Sequence, residues 1–271
     1  MSTQVAPNLK TRYQKDGYCL APNIIPQDLV QRAIEGQDAL RKGHYDTGIA
    51  PVTSPWNPGD DPNILCKIEM PHIANQAIYD LVTHPDLGHL IASLTDADWV
   101  QVFWVQMLYK PPAGPNARTR VGWHQDLQYW QTWTPDSQLL TAWVALSDVN
   151  DESGPVRFVR GSHKWGLLKA GDFHGQQLDN QKEAIQPPPG SRWEEAPGIL
   201  SPGSASVHHC LTYHGSGPNV SDSPRRSFAI HLRTNHSKLT DNYWKVSEEE
   251  GINLVQYLDN DWYNPIIYRR N

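Results

Sequence analysis

The sequence predicts a mainly β fold preceded by helices. Three observations carry that prediction. Before about residue 95 the apolar positions recur at helical spacing. From Trp99 onward they fall in short runs that alternate or are continuously apolar. Turn signals separate those runs, such as Lys110-Pro-Pro-Ala-Gly-Pro and the stretch Asn150 to Gly154. Helices first, then many short strands between Gly/Pro turns, argue for a β sandwich or barrel carrying helices.

In chain order, Leu29, Val30, Ala33, Ile34 and Leu40 form a helical stripe. Pro26-Gln27-Asp28 opens it and Gly43 closes it. Residues 48 to 63 are rich in Pro, Gly and Asp without periodicity and read as a loop. Two helical stretches follow, at about 73–82 and 86–94. Trp99 to Tyr109 reads as a strand rich in Val and aromatics. Leu139 to Leu146 is continuously apolar, which suits a strand buried on both faces. Residues 166 to 200 hold few apolar positions and a Gln186-Pro-Pro-Pro-Gly tract. That is a long connection, of the kind that serves as a lid or binding loop. Strands return near 204–213 and 226–234. No internal repeat interrupts this order, so the expectation is one domain over 1–271. Helical additions would span about 8–95 and the β core about 99–235.

A net charge of −6 leaves no basic footprint, which argues against a nucleic-acid partner. The three cysteines, Cys19, Cys66 and Cys210, show no paired spacing. They point to a reduced compartment without a thiolate metal site. The N-terminus lacks an apolar signal region, and no apolar run reaches the length of a membrane span. Arg269-Arg270-Asn271 is not a peroxisomal tripeptide. A cytoplasmic protein without a membrane partner is the expectation, and a small molecule is the expected substrate.

One constellation carries chemistry. On an extended chain, residues i and i+2 face one side. His124 and Asp126, in His124-Gln125-Asp126, can therefore offer an imidazole nitrogen and a carboxylate oxygen to one point. His214 adds a second imidazole. Two His and one carboxylate with an open face is the pattern of non-heme Fe(II) oxygenases. His-x-Asp alone is a weak signal, and two more triplets occur. His44-Tyr45-Asp46 follows the cap Gly43 and reads as loop. His84-Pro85-Asp86 carries a proline and reads as a helix start. Only the triplet at 124 sits after an apolar run and before Leu127, Tyr129 and Trp130. Arg225, ahead of the alternating Phe228, Ile230 and Leu232, offers the fixed cation that a dicarboxylate needs. Adjacent side chains of a strand face opposite sides, so only one of Arg225 and Arg226 can face the site.

His124-Gln125-Asp126-Leu127, Trp143 and His214-Gly215-Ser216-Gly217 with Arg225 resemble the phytanoyl-CoA dioxygenase family of Fe(II)/2-oxoglutarate oxygenases. Asp16-Gly17-Tyr18 with Ile25-Pro26, and the stretch Gly154 to His163, carry the same resemblance, which covers about residues 12 to 235. The Arg157-Phe158-Val159-Arg160 run departs from the family's apolar-plus-proline form. The resemblance implies a double-stranded β-helix, the jelly-roll or cupin type. It implies His124, Asp126 and His214 on Fe(II), with 2-oxoglutarate and O2 as co-substrates. Arg225 would hold the distal carboxylate of 2-oxoglutarate, Ser216 would assist, and Trp143 would line that pocket. Lys67 and Gln106 fall where the family places further co-substrate contacts. Asp126 leaves no ligand vacancy for chloride, so hydroxylation rather than halogenation is expected. Desaturation, epoxidation and rearrangement would use the same residues. Two rivals stay open: a jelly-roll binding module without turnover, and a cupin-type metal enzyme that needs no co-substrate. No clear basic cluster offers itself to the phosphates of CoA.

Overall fold

The computed structural model describes residues 8–112, 118–241, 243 and 255–270. Two antiparallel sheets face each other, with helices behind the larger one. The larger sheet has seven strands. Its path runs β1 (Tyr18–Ala21), β8 (Ala205–His209), β5 (Leu139–Ala145), β10 (Arg225–Thr234), β3 (Trp99–Lys110) and β11 (Ile266–Arg269). A further strand, β2 (Cys66–Glu69), pairs with the far end of β3. The smaller sheet orders β4 (Val121–His124), β9 (His214–Ser216), β6 (Val156–Val159) and β7 (Glu195–Pro197).

Alternation along β10 explains the layers. Residues opposite each other on antiparallel strands share a face. Phe228, Ile230 and Leu232 therefore share theirs with Met107 and Val105 of β3 and with Leu140, Ala142 and Val144 of β5. All of these join one apolar cluster with the helices. Those are α1 (Asn8–Asp16), α2 (Gln27–Arg41), α3 (Gln76–Val82) and α4 (Pro85–Thr95). Leu29, Val30, Ala33 and Leu40 supply the stripe of α2, as its spacing predicts. The other face carries Ser227, Ala229 and His231 of β10, Trp104, Gln106 and Leu108 of β3, Thr141 and Trp143 of β5, and His208 of β8. That face meets the smaller sheet. Trp143, Leu108 and Ala229 pack there on Val156, Phe158 and Ala196.

Three expectations need adjustment. The N-terminal region is not only helical, because it gives β1 and β2 to the larger sheet. Each is four residues long, too short for a periodicity to show. The β core does not stop at about 235 either. Ile266–Arg269 closes the edge of β3, crossing α4 at Gly88. A Cβ at Gly88 would stand 2.2 Å from the Ile267 carbonyl oxygen, so only glycine admits this strand. The connection 166–200 also holds more structure than expected, with the short helix α5 (Leu178–Ala184) and β7.

Candidate active site

β4 ends at His124, and Asp126 opens a single 3-10 turn, Asp126–Tyr129. Asp126 is therefore not on the strand. The intervening Gln125 keeps extended geometry (φ −111°, ψ 131°), so the i, i+2 relation survives. Gln125 also fixes the turn from inside. Fully buried, its amide donates to the carbonyls of Gly166 and Leu211 at 2.8 and 2.7 Å. Its Oε1 accepts from the Leu168 amide at 2.9 Å.

His214 on β9 stands directly opposite His124 on β4. Each imidazole donates Nδ1–H to a backbone carbonyl two residues back, His124 to Gly122 at 2.8 Å and His214 to Thr212 at 3.0 Å. Both Nε2 atoms are thereby left with a lone pair, the tautomer a metal ligand needs. They converge on one carboxylate oxygen, each 3.4 Å from Asp126 Oδ1. The three ligand atoms lie within 4.8 Å of one another, and all three residues are buried.

The other oxygen of Asp126 is taken up by protein. Oδ2 accepts from Thr141 Oγ1 at 2.7 Å and from His208 Nε2 at 3.2 Å. Thr141 Oγ1 also lies 2.8 Å from His231 Nδ1. A carboxylate only accepts, so the threonine hydroxyl spends its one hydrogen on Asp126. His231 must then donate Nδ1–H to Thr141. Burial raises the Asp126 carboxyl, but the imidazoles of His214, His124 and His208 more than offset it and hold it well below the usual range. Burial, with His124 beside it, keeps His214 well below the usual histidine value. Burial, against the pull of the Asp126 charge, pushes His231 down to about 3, so its ring is neutral. This donor set, two imidazole nitrogens and one ionised, oriented carboxylate, fits a divalent metal held on one face.

Two connected spaces meet at these residues. The outer cavity measures about 500 Å³, with walls of Trp104, Tyr129, Trp130 and Phe173 and polar groups from Lys67, Glu69, Gln106 and His231. The inner one is a narrow pocket of about 50 Å³ between the two sheets. Trp143, Ser216, Arg225, Gln106 and Leu108 line it beside His124, Asp126 and His214. Arg225 is 1% exposed, and its guanidinium lies 5.0 Å over the Trp143 ring. One Arg225 nitrogen donates to the Gly154 carbonyl, while Nε is buried without a partner. Arg226 turns to the helix side, paired with Asp38 of α2 at 2.8 Å and over the Tyr109 ring.

Of the residues singled out by sequence, the fold gathers His124, Asp126, His214, Ser216, Arg225, Trp143 and Gln106 around the inner pocket. Lys67 stands apart at the outer cavity, 3.1 Å from Glu69. Thr141, His208, His231 and Glu69 were not foreseen. Their roles depend on register across β2, β3, β5, β8 and β10, which no local pattern announces. The two discarded triplets have structural work. Asp46 accepts from Asn75 and Gln76 at the start of α3, and His84 caps α4.

Residues 170–185 lie over His124. The Gly122 amide donates to the Phe173 carbonyl at 2.9 Å, and the Trp123 amide to Gln181 Oε1 at 2.8 Å. The Phe173 ring is 5.1 Å from His124, edge to face. Gly122 makes this approach possible, since a Cβ there would stand 2.0 Å from the Asp172 carbonyl oxygen.

A double-stranded β-helix with two imidazoles and a carboxylate at the mouth and a buried arginine behind them defines a class, the mononuclear iron oxygenases of cupin type. The family model for phytanoyl-CoA dioxygenase matches residues 13–227, and the chain belongs to that family. A Stutzerimonas stutzeri protein named "Probable alpha-ketoglutarate-dependent hypophosphite dioxygenase" is 29% identical over 226 residues, covering 80% of this chain and 75% of that one. The "Ectoine dioxygenase" of Bordetella parapertussis is 26% identical, covering 79% and 70%. The crystal structure of the epimerase SnoN in complex with Fe3+, alpha ketoglutarate and nogalamycin RO superposes with a TM-score of 0.66 at 25% identity, over 86% of this chain and 84% of that one. No helix among the described residues is long and apolar enough to cross a membrane.

Proposed function

We propose that the protein is an Fe(II)- and 2-oxoglutarate-dependent dioxygenase that hydroxylates a small molecule. The observation that carries this reading is the pairing of a three-atom ligand face with a buried arginine in one connected cavity. His124, Asp126 and His214 would hold the iron. Iron there supplies, with 2-oxoglutarate and O2, the oxidising chemistry that releases succinate and CO2.

The chain's own residues do the rest. Arg225 offers its free donors to the distal carboxylate of 2-oxoglutarate, a charge-assisted contact made in a dry pocket. Ser216 adds a hydroxyl beside it, Trp143 forms the wall under the guanidinium, and Gln106 borders the same space. Lys67 reaches from the outer cavity and exchanges Glu69 for a ligand oxygen. Thr141 and His208 hold Asp126 so that Oδ1 alone faces the metal. Trp104, Trp130, Tyr129 and Phe173 exclude water from the substrate side. Because Asp126 fills the third protein position, no vacancy is left for a halide.

The outer cavity sets the substrate class. At about 500 Å³ with aromatic walls it suits a compact, partly apolar molecule. Beside its mouth the fold gathers Lys67, Arg118, Arg120 and His174 around one groove, a cluster the sequence did not reveal. A small substrate with a negatively charged end fits this arrangement. The test is a screen of small acids, phosphate esters and neutral metabolites with Fe(II), 2-oxoglutarate and O2. Succinate release and substrate mass are both scored. Stimulated succinate with a gain of one oxygen supports hydroxylation. A loss of two hydrogens points to desaturation or ring closure. Binding of 2-oxoglutarate without any succinate across the screen speaks for a binding module.

A further inference from the structure

Behind Ser216 and Arg225 lies a second buried cation that the reading above does not use. Lys110 ends β3 opposite Arg225 on β10, and the two residues are 0% and 1% exposed. The Lys110 ammonium donates to Ser216 Oγ at 2.7 Å and to the Gly217 carbonyl at 2.6 Å. The charged groups acting on it are Arg225 from β10 and Arg120 from the segment ahead of β4, both cations. Among the described residues, Arg225 meets the Gly154 carbonyl and the Trp143 ring, with Nε unpartnered. Two cations thus share one buried corner, met among the described residues by hydroxyl and carbonyl oxygens. Burying charge this way is costly unless an anion joins it.

We propose that Lys110 is a proton-linked positioning residue of the co-substrate site, taking up a proton when an anionic ligand seats against Arg225 and Ser216. This rests on the inner pocket being the seat of 2-oxoglutarate. Lys110 does not line the pocket and acts through Ser216. The mechanism follows from counting hydrogens. A charged Lys110 has no lone pair, so Ser216 must accept from it and aim its own hydrogen elsewhere, at the ligand carboxylate. A neutral Lys110 has a lone pair that accepts the serine hydrogen and turns that donor away from the pocket. Burial, then the neighbouring Arg225 and Arg120, pull Lys110 well below the usual lysine range, which shifts the ligand-free protein toward the neutral form. The ligand's negative charge reverses this, and the proton comes from solvent.

The sign of the pH dependence is fixed by that scheme. Ligand binding raises the affinity of Lys110 for a proton, so 2-oxoglutarate binds more weakly as pH rises between the free and bound values. Where one full proton is taken up, the Kd rises about tenfold per pH unit. Burial pushes Arg225 down to about 9, so measurements below that pH keep the arginine charged.

The experiment is calorimetric titration of 2-oxoglutarate into the anaerobic Fe(II) protein, in buffers of different ionisation enthalpy, across neutral to mildly alkaline pH. The native protein takes up a fraction of a proton per ligand, and its Kd climbs with pH. In Lys110→Met the uptake disappears, the pH profile flattens, and iron binds as in the native protein. A native protein that takes up no proton overturns the proposal, whatever the variant does. Native uptake that persists in Lys110→Met also overturns it, as does a variant that loses iron along with 2-oxoglutarate. Arg225→Ala separates the two readings. If it leaves 2-oxoglutarate affinity unchanged, the assignment of the pocket fails and the proposal with it. If it weakens binding while the native protein takes up no proton, only the role of Lys110 fails.

Discussion

Thr141→Val is the sharpest perturbation of the ligand set, because it changes no ligand and almost no volume. The native hydroxyl does two jobs. It donates to Asp126 Oδ2 at 2.7 Å and accepts from His231 Nδ1 at 2.8 Å. Valine removes a hydrogen bond to a charged group, worth about 1.5–3 kcal/mol, and orphans the His231 N–H. Asp126 keeps His208 as its remaining donor on Oδ2. The metal-free protein should therefore lose about 1–3 kcal/mol, roughly 2–4 °C of Tm per kcal/mol for a chain of this size. Loss of an orienting partner behind a metal ligand typically costs about 10–100-fold in metal affinity. The assays are differential scanning calorimetry on the metal-free protein and competitive titration with Fe(II) under anaerobic conditions. If Thr141→Val binds iron as tightly as the native protein, Asp126 is oriented by something else and the hydrogen-bond argument is wrong.

Three further outcomes are expected. Arg225→Ala raises the Kd for 2-oxoglutarate by at least about tens of fold, as expected when one partner of a desolvated charge pair is removed. Arg226→Ala loses its Asp38 pair and its place over the Tyr109 ring, both on the helix side, and leaves that Kd unchanged; a larger effect at 226 would invert the assignment. With substrate, chloride and O2, the native protein gives a product that gains oxygen and no chlorine, and mass spectrometry showing chlorination refutes the role of Asp126. Amides of 170–185, which cross over His124 through Phe173 and Gln181, exchange more slowly once 2-oxoglutarate and substrate bind. Unchanged exchange there marks the segment as a fixed insertion.

The three residues of the candidate metal face were legible because their geometry is local or nearly so. His124 and Asp126 lie two residues apart on extended chain, and His214 sits in a glycine-bracketed stretch. Strand alternation said only that one of Arg225 and Arg226 could face the site; the family resemblance picked Arg225, and Arg226 does turn to α2. The helical stripe of α2 and the apolar runs of β3 and β5 emerged from periodicity. What stayed hidden depends on register between distant strands. Thr141 and His208 reach Asp126 only because β5 and β8 pair as they do, with Thr141 opposite His208. Lys110 read as the start of a strand-breaking Lys-Pro-Pro run, yet pairing with Arg225 makes it part of the inner pocket's support. Strands β1 and β2 escaped because four residues give too few alternations. The basic groove of Lys67, Arg118, Arg120 and His174 is assembled from separate segments, so no run of charge announced it.

The central claim is that His124, Asp126 and His214 seat one iron beside a 2-oxoglutarate pocket closed by Arg225. It is tested most directly by anaerobic addition of Fe(II) and then 2-oxoglutarate, following the metal-to-ligand charge-transfer absorption. The account predicts one iron per chain and a visible band that appears only with 2-oxoglutarate. The band should be absent in Asp126→Ala and should need a much higher 2-oxoglutarate concentration in Arg225→Ala. A native protein that binds iron without developing the band, or an Asp126→Ala variant with full iron and an unchanged band, would contradict it.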